Sequence, residues 1–162
     1  MNNLEGVLIK EATSSEDSLI VQHFYQLWLD NNVAPEHLRS DWLEVTLEFI
    51  TKARQELSFQ AFVAVVDEKI VGSVSCQLFA GLYPWLFTSD FRQYGYIWNV
   101  YVEADYRRLG IATKLTKKAI SHLHSLNCTH AILHASPHGK TLYESLGFIP
   151  KNEMILELIP QE

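Results

Sequence analysis

No stretch of this chain approaches the roughly 20 consecutive apolar residues that a membrane-spanning helix requires, which excludes a helical span. Basic charge is also scarce, with 13 Lys and Arg against 19 Asp and Glu and a formal net charge of −6. A sequence-independent nucleic-acid binder needs a basic face to displace counterions from phosphates, so that class is excluded as well. Only two cysteines are present, Cys76 and Cys128. They read as free thiols of a reducing compartment. The opening residues, MNNLEGVLIKEATSSED, lack the basic, apolar and small-residue succession of a secretion signal. A cytoplasmic protein is therefore expected, with neither nucleic acid nor membrane among its partners. Internal repeats, low-complexity tracts and linkers are missing too, so residues 1–162 are read as a single domain. What the chain does have is an ordinary apolar fraction of 48% and many aromatics, 8 Phe, 7 Tyr and 4 Trp, as a folded domain requires.

Along the chain, Val7 to Lys10 forms a short apolar run suited to a strand. Thr13 and Glu16 make a capping-box pair ahead of a helix that carries Leu19, Ile20, His23, Phe24, Leu27 and Trp28 to Asp30. Beyond Pro35, the spacing of Trp42, Val45, Phe49, Ile50 and Ala53 predicts a second helix. Ala61 to Val66 and Ile70 to Phe79, joined at Asp67-Glu68-Lys69, read as a hairpin. An aromatic loop follows from Gly81 to Gln93, then a strand from Tyr96 to Glu103. Ile111 to Leu126 is helix-like, with Ile111, Leu115 and Ala119 on one stripe and Asn127 at its left-handed end. Thr129 to Ala135 is expected as a strand, Gly139 to Leu146 as a short helix and Met154 to Leu158 as a last strand. Interleaved helices and strands place the fold in the α/β or α+β class with a mixed sheet.

The segment YIWNVYVEADYRRLGIATKL, Tyr96 to Leu115, joins a strand to a helix through a basic turn. A helix N-terminus leaves N–H groups unpaired and carries partial positive charge, so a turn that converges them makes an anion site. Gly110 permits close approach of a phosphate, and small Ala112 keeps the first turn open. Arg107-x-x-Gly110-x-Ala112 resembles the R/Q-x-x-G-x-G/A signature of the GNAT superfamily of acyl-CoA-dependent N-acyltransferases. The resemblance continues in Tyr143-x-x-x-Gly147-Phe148 downstream and in LIKEATSSED upstream, and so covers nearly the whole chain.

That resemblance implies a mixed, mainly antiparallel sheet flanked by helices and splayed between its fourth and fifth strands. It implies acetyl-CoA as co-substrate, its pyrophosphate on the backbone of Arg107, Arg108, Leu109, Gly110, Ile111 and Ala112, with the Thr113 hydroxyl nearby. The pantetheine arm would pair like a strand with the main chain at Val100, Tyr101 and Val102. An N–H near Val100 would hold the thioester oxygen. Tyr143 would contact CoA and serve the departing sulfur. Ser136 stands where many members carry a CoA-contacting asparagine. The implied reaction is direct attack of a small-molecule or peptide amine on the thioester. The alternative is a non-catalytic acyl-CoA sensor, favoured by one departure: Tyr96 occupies the strand position where several members place a glutamate base. Glu44, Glu48 and His134 are the candidates to replace it. Homodimers are implied as an option.

The remaining features have plainer readings. His130, His134 and His138 recur every four residues, but they fall on a strand and beyond Pro137, so no metal site is expected. The loop bearing Tyr83, Trp85, Phe87 and Phe91 is either a satellite apolar cluster or a wall of the acceptor pocket. Cys76 reads as a small buried hydrophobe.

Overall fold

The computed structural model describes residues 6–159. Five strands form one open sheet in the order β1-β2-β3-β4-β5: Leu8–Glu11, Gln60–Val66, Lys69–Leu78, Tyr94–Val102 and His130–Ile132. The first four pair antiparallel and the last pairs parallel, so the sheet is mixed. Helices α1 (Asp17–Asp30) and α2 (Trp42–Glu56) cover one face, and α3 (Ile111–Ser125) covers the other. A short α4 (Lys140–Ser145) follows β5.

Local chemistry accounts for the element ends. The Thr13 N–H donates to Glu16 Oε2 at 2.6 Å, closing the capping box ahead of a single 3-10 turn that leads into α1. Asp67 and Glu68 both take left-handed backbone, φ 47° and 65°, so the hairpin loop is two residues and Lys69 already belongs to β3. Asn127 is left-handed after α3, as its residue type suggests. Arg54 clasps Asp17 with two bonds, 2.7 and 2.9 Å, and joins α2 to α1.

Two apolar layers result. On the α3 side, Ile111, Leu115, Ala119 and Leu123 meet Val71, Val74, Cys76 and Ile97. Opposite, Ile20, Val21, Ile50 and Ala53 meet Phe59, Ala61 and Val63.

Two sequence expectations fail. The strand expected over Thr129 to Ala135 contracts to His130–Ile132. Met154 to Leu158 forms no strand at all; Met154, Ile155, Leu156 and Leu158 are 81–94% exposed. Alternation and apolarity qualify a segment for a sheet, but a strand also needs a neighbouring ladder, and three-residue β5 supplies none.

His23 is buried on α1. Burial pushes its imidazole below the ordinary 6.5, against an opposing pull from Glu103. The unfolded chain then takes up a proton at a pH where the folded one does not. The contribution of His23 to stability is therefore complete above pH 6.5 and is lost as pH drops toward the lower folded value. Urea titrations from pH 7.5 to 5 should show this decline in the wild type and a flatter profile in His23→Gln. Parallel profiles would assign the acid sensitivity elsewhere.

Candidate active site

After Val102 the chain makes a 3-10 turn, Ala104–Tyr106, and then enters an irregular loop. Arg108 and Gly110 are both left-handed, φ 63° and 75°, with Gly110 capping α3. Left-handed residues in such a loop rotate successive N–H groups toward one side and form an anion-binding concavity. Among the described residues, none of the N–H groups from Arg108 to Thr113 bonds another main-chain group. The first one satisfied is that of Lys114, on the Gly110 carbonyl at 3.1 Å. The first turn of α3 has no acidic residue to compete. The donor set fits the phosphates of a CoA thioester, with Leu109 and Ile111 anchoring the loop in the α3-side core.

Arg107 lies apart from that cradle. Its N–H donates to the Ala104 carbonyl at 3.3 Å. Its guanidinium donates to the Val102 carbonyl at 2.8 Å and to Asp30 at 2.5 Å, and stacks over Tyr101. It braces the loop against α1, which leaves exposed Arg108 as the basic side chain of the pair open to an anion.

β4 meets β5 only through Tyr94, Gly95 and Tyr96, opposite His130, Ala131 and Ile132. Farther along β4, at Val100, Tyr101 and Val102, β5 has ended, so that edge of β4 is open to an extended ligand. On its other side β4 carries a bulge: Ser73 pairs with Tyr101, but Ser75 pairs with Trp98. Asn99 and Val100 together face Val74, and Asn99 is left-handed, φ 53°.

Tyr143 sits in α4, half-buried, with its hydroxyl pushed up to about 12 by burial. The Tyr143 carbonyl accepts the Phe148 N–H at 3.0 Å, and the Glu144 carbonyl accepts that of Gly147, whose φ is 92°. This Schellman closure explains the Tyr-x-x-x-Gly-Phe spacing: the left-handed glycine ends the helix and folds Phe148 onto the Tyr143 ring, centroids 5.9 Å apart. Ser136 Oγ accepts the Gly139 N–H at 3.2 Å, in the turn that leads into α4, and both Ser136 and Tyr143 lie against Gly139.

The base candidates separate cleanly. Glu44 and Glu48 are exposed on α2. Glu103 is paired with Lys69. His134, by contrast, is brought against Tyr96: the Tyr96 hydroxyl lies 3.1 Å from His134 Nδ1, and His134 Nε2 lies 3.0 Å from Glu153. Burial, helped by Glu153, raises the Tyr96 hydroxyl above its ordinary value, so it stays a neutral partner of the imidazole. Sequence reasoning missed Glu153, because it comes from an irregular segment with no periodicity to announce it. Phe79 packs on Tyr96 at 5.6 Å and also lines a cavity of about 130 Å³ with Leu82, Tyr83, Trp85, Phe87 and Tyr94. The aromatic loop is exposed, its rings pack on one another at Tyr83–Phe87 and Phe87–Phe91, and it lines this cavity.

An open mixed sheet, a cradle of unpaired amides and a free β4 edge are the arrangement expected of the acyl-CoA-dependent class. The model of the acetyltransferase (GNAT) family matches residues 21–148, and the chain belongs to that family. N-alpha-acetyltransferase 30 of Homo sapiens is 37% identical over 91 residues, 54% of this chain and 23% of its own length. For the same protein of Xenopus laevis the match spans 31% of its length. The chain therefore spans less than a third of each of these relatives. Among solved structures, a GCN5-related N-acetyltransferase from Ralstonia eutropha superposes with a TM-score of 0.80 at 19% identity, over 94% of this chain and 99% of that one. A predicted acetyltransferase with acetyl-CoA from Clostridium acetobutylicum gives 0.79 at 25% identity, over 94% and 96%. The expected fold class and family stand as read.

Proposed function

We propose that this chain transfers an acetyl group from acetyl-CoA to the amine of a peptide or small molecule. The observation that carries the reading is the cradle of unpaired amides at Arg108 to Thr113, set directly after a β4 strand whose edge is open at Val100 to Val102. The cradle holds the phosphates, and the β4 main chain holds the pantetheine arm and the thioester oxygen. The similarity to N-alpha-acetyltransferases favours a peptide N-terminus as acceptor.

His134 takes the amine's proton. Glu153 accepts from Nε2–H and so leaves Nδ1 as the acceptor; the incoming amine displaces the Tyr96 hydroxyl from Nδ1 and gives its proton there. Tyr143 serves the leaving group. With its hydroxyl near 12 and a reference thiol near 8.5, complete proton transfer to the thiolate would run uphill by about 5 kcal/mol. Tyr143 therefore acts by donating a hydrogen bond to the sulfur. Tyr143→Phe should lower turnover by about 10²-fold or less, and turnover within twofold of wild type would remove it from the mechanism.

The acceptor lies against Tyr96, with the aromatic loop beside it. A homodimer through residues 154–159, whose apolar side chains are exposed, completes the proposal; light scattering would read its mass. The direct test of function is CoA release from acetyl-CoA with a panel of peptide N-termini, amino acids, polyamines and other small amines. Tight CoA binding without release on any amine would favour the sensor alternative, and no CoA binding would sink both.

A further inference from the structure

Ser73, Ser75 and Gln77 alternate with Val74, Cys76 and Leu78 on β3, a pattern that normally marks a half-solvated strand. Here all three polar residues are buried, 0–4% exposed, on the face that α1 and α2 cover. Burying polar groups is costly unless they are bonded. Gln77 accepts from Trp98 Nε1 at 3.2 Å, whereas among the described residues Ser75 Oγ, His23 Nε2 and Asn99 Oδ1 have no partner; Ser73 joins a network that crosses three elements. The Ser73 hydroxyl lies 2.9 Å from His23 Nδ1 on α1 and 3.4 Å from Asn99 Nδ2 on β4. Asn99 Nδ2 also donates to the Ile20 carbonyl of α1 at 3.1 Å. His23 in turn packs against Tyr101, 4.8 Å between centroids, and Tyr101 lies under the Arg107 guanidinium bound to Asp30.

We propose that Asn99 is a positioning residue for acetyl transfer: with His23 and Ser73 it clamps α1 to the β4 bulge and fixes the main chain at Val100. This inference rests on the acetyltransferase reading above. The bulge is the one place where β4 departs from the β3 register, and a strand that regained that register would turn its following residues to the opposite face. Val100 adjoins Asn99 and lies on the edge assigned to the thioester. Ground held at the wrong distance by about 1 Å can cost about 10²-fold in rate. Asparagine at this position supplies both the left-handed backbone and the side-chain bonds that anchor it.

Those two contributions can be separated. Asn99→Gly keeps left-handed backbone freely accessible and removes only the side-chain bonds. If residue 99 matters solely through its backbone, that variant should turn over like wild type. The clamp predicts a turnover loss of at least 10-fold at saturating acetyl-CoA and acceptor. CoA affinity, set at the cradle, should change less than threefold by calorimetry. Asn99→Gly turnover within twofold of wild type would overturn the proposal, as would a loss of CoA affinity that matches the loss of rate. Should Asn99→Gly fail to fold by circular dichroism, Ser73→Ala carries the test: it retains the bond to Ile20 and should lose at least threefold in turnover, and less than twofold would count against the clamp. Wild-type protein is assayed alongside. Its failure on every amine would refute the transferase reading, whereas an active wild type with an equally active Asn99→Gly would refute the clamp alone.

Discussion

Valine in place of Gly110 is expected to weaken CoA binding by about 10- to 100-fold. Gly110 sits at φ 75°, where a β-branched residue is a genuine outlier. Left-handed backbone costs an ordinary L-residue about 1–2 kcal/mol, and valine would escape by rotating out of it. Rotation turns the Gly110 N–H, and with it the start of α3, away from the phosphates. Losing even one hydrogen bond to a charged group costs about 1.5–3 kcal/mol, which at 1.4 kcal/mol per tenfold gives the range stated. Calorimetry with CoA measures it directly. Gly147→Ala is the control, since it meets the same left-handed strain at φ 92° without touching the cradle. It should cost about 1 kcal/mol of stability and leave CoA affinity unchanged. A dissociation constant within threefold of wild type in Gly110→Val would place the phosphates elsewhere.

His134→Ala should reduce turnover by about 10²- to 10³-fold, the scale of losing a positioned general base, with CoA affinity untouched. Tyr96→Phe and Glu153→Gln leave the imidazole in place and remove one partner each, so losses of about tenfold or less are expected from them. The pH profile separates a base from a packing residue. A peptide α-amine has a pKa of about 8, so above that value the acceptor arrives already neutral and only the proton released on amide formation is left for a base or solvent to take. The His134→Ala deficit should therefore shrink between pH 7 and pH 9. A deficit constant across that range would make His134 a structural residue, and one below threefold throughout would free it from any role.

The cradle was the most legible part of the site. Gly110 and Ala112 mark it in the sequence, because a phosphate approaching backbone demands small residues at fixed spacing before a helix. Tyr143 was legible for a related reason, since Gly147 and Phe148 are the residues that close its helix. Arg107 was misleading in one respect. Its spacing is correct, yet its guanidinium is spent on Val102 and Asp30, the second lying 77 residues away in sequence. A motif records that an arginine is present and leaves its bonds unstated. The last strand misled more, because Met154 to Leu158 is apolar enough for a strand yet is exposed and meets no ladder.

By itself, then, the sequence determined the local devices: the capping box at Thr13, the α3 stripe from Ile111 to Leu123, the glycine turn and the family. Each depends on contacts a few residues apart, so each is written in spacing. Only the tertiary structure decided who partners whom across the sheet. It set His134 between Tyr96 and Glu153, buried the polar face of β3 beneath α1, and brought the Asn99 amide at the β4 bulge against the Ile20 carbonyl. Those choices depend on which elements the sheet order makes neighbours and where β5 stops. No periodicity within a single segment encodes that.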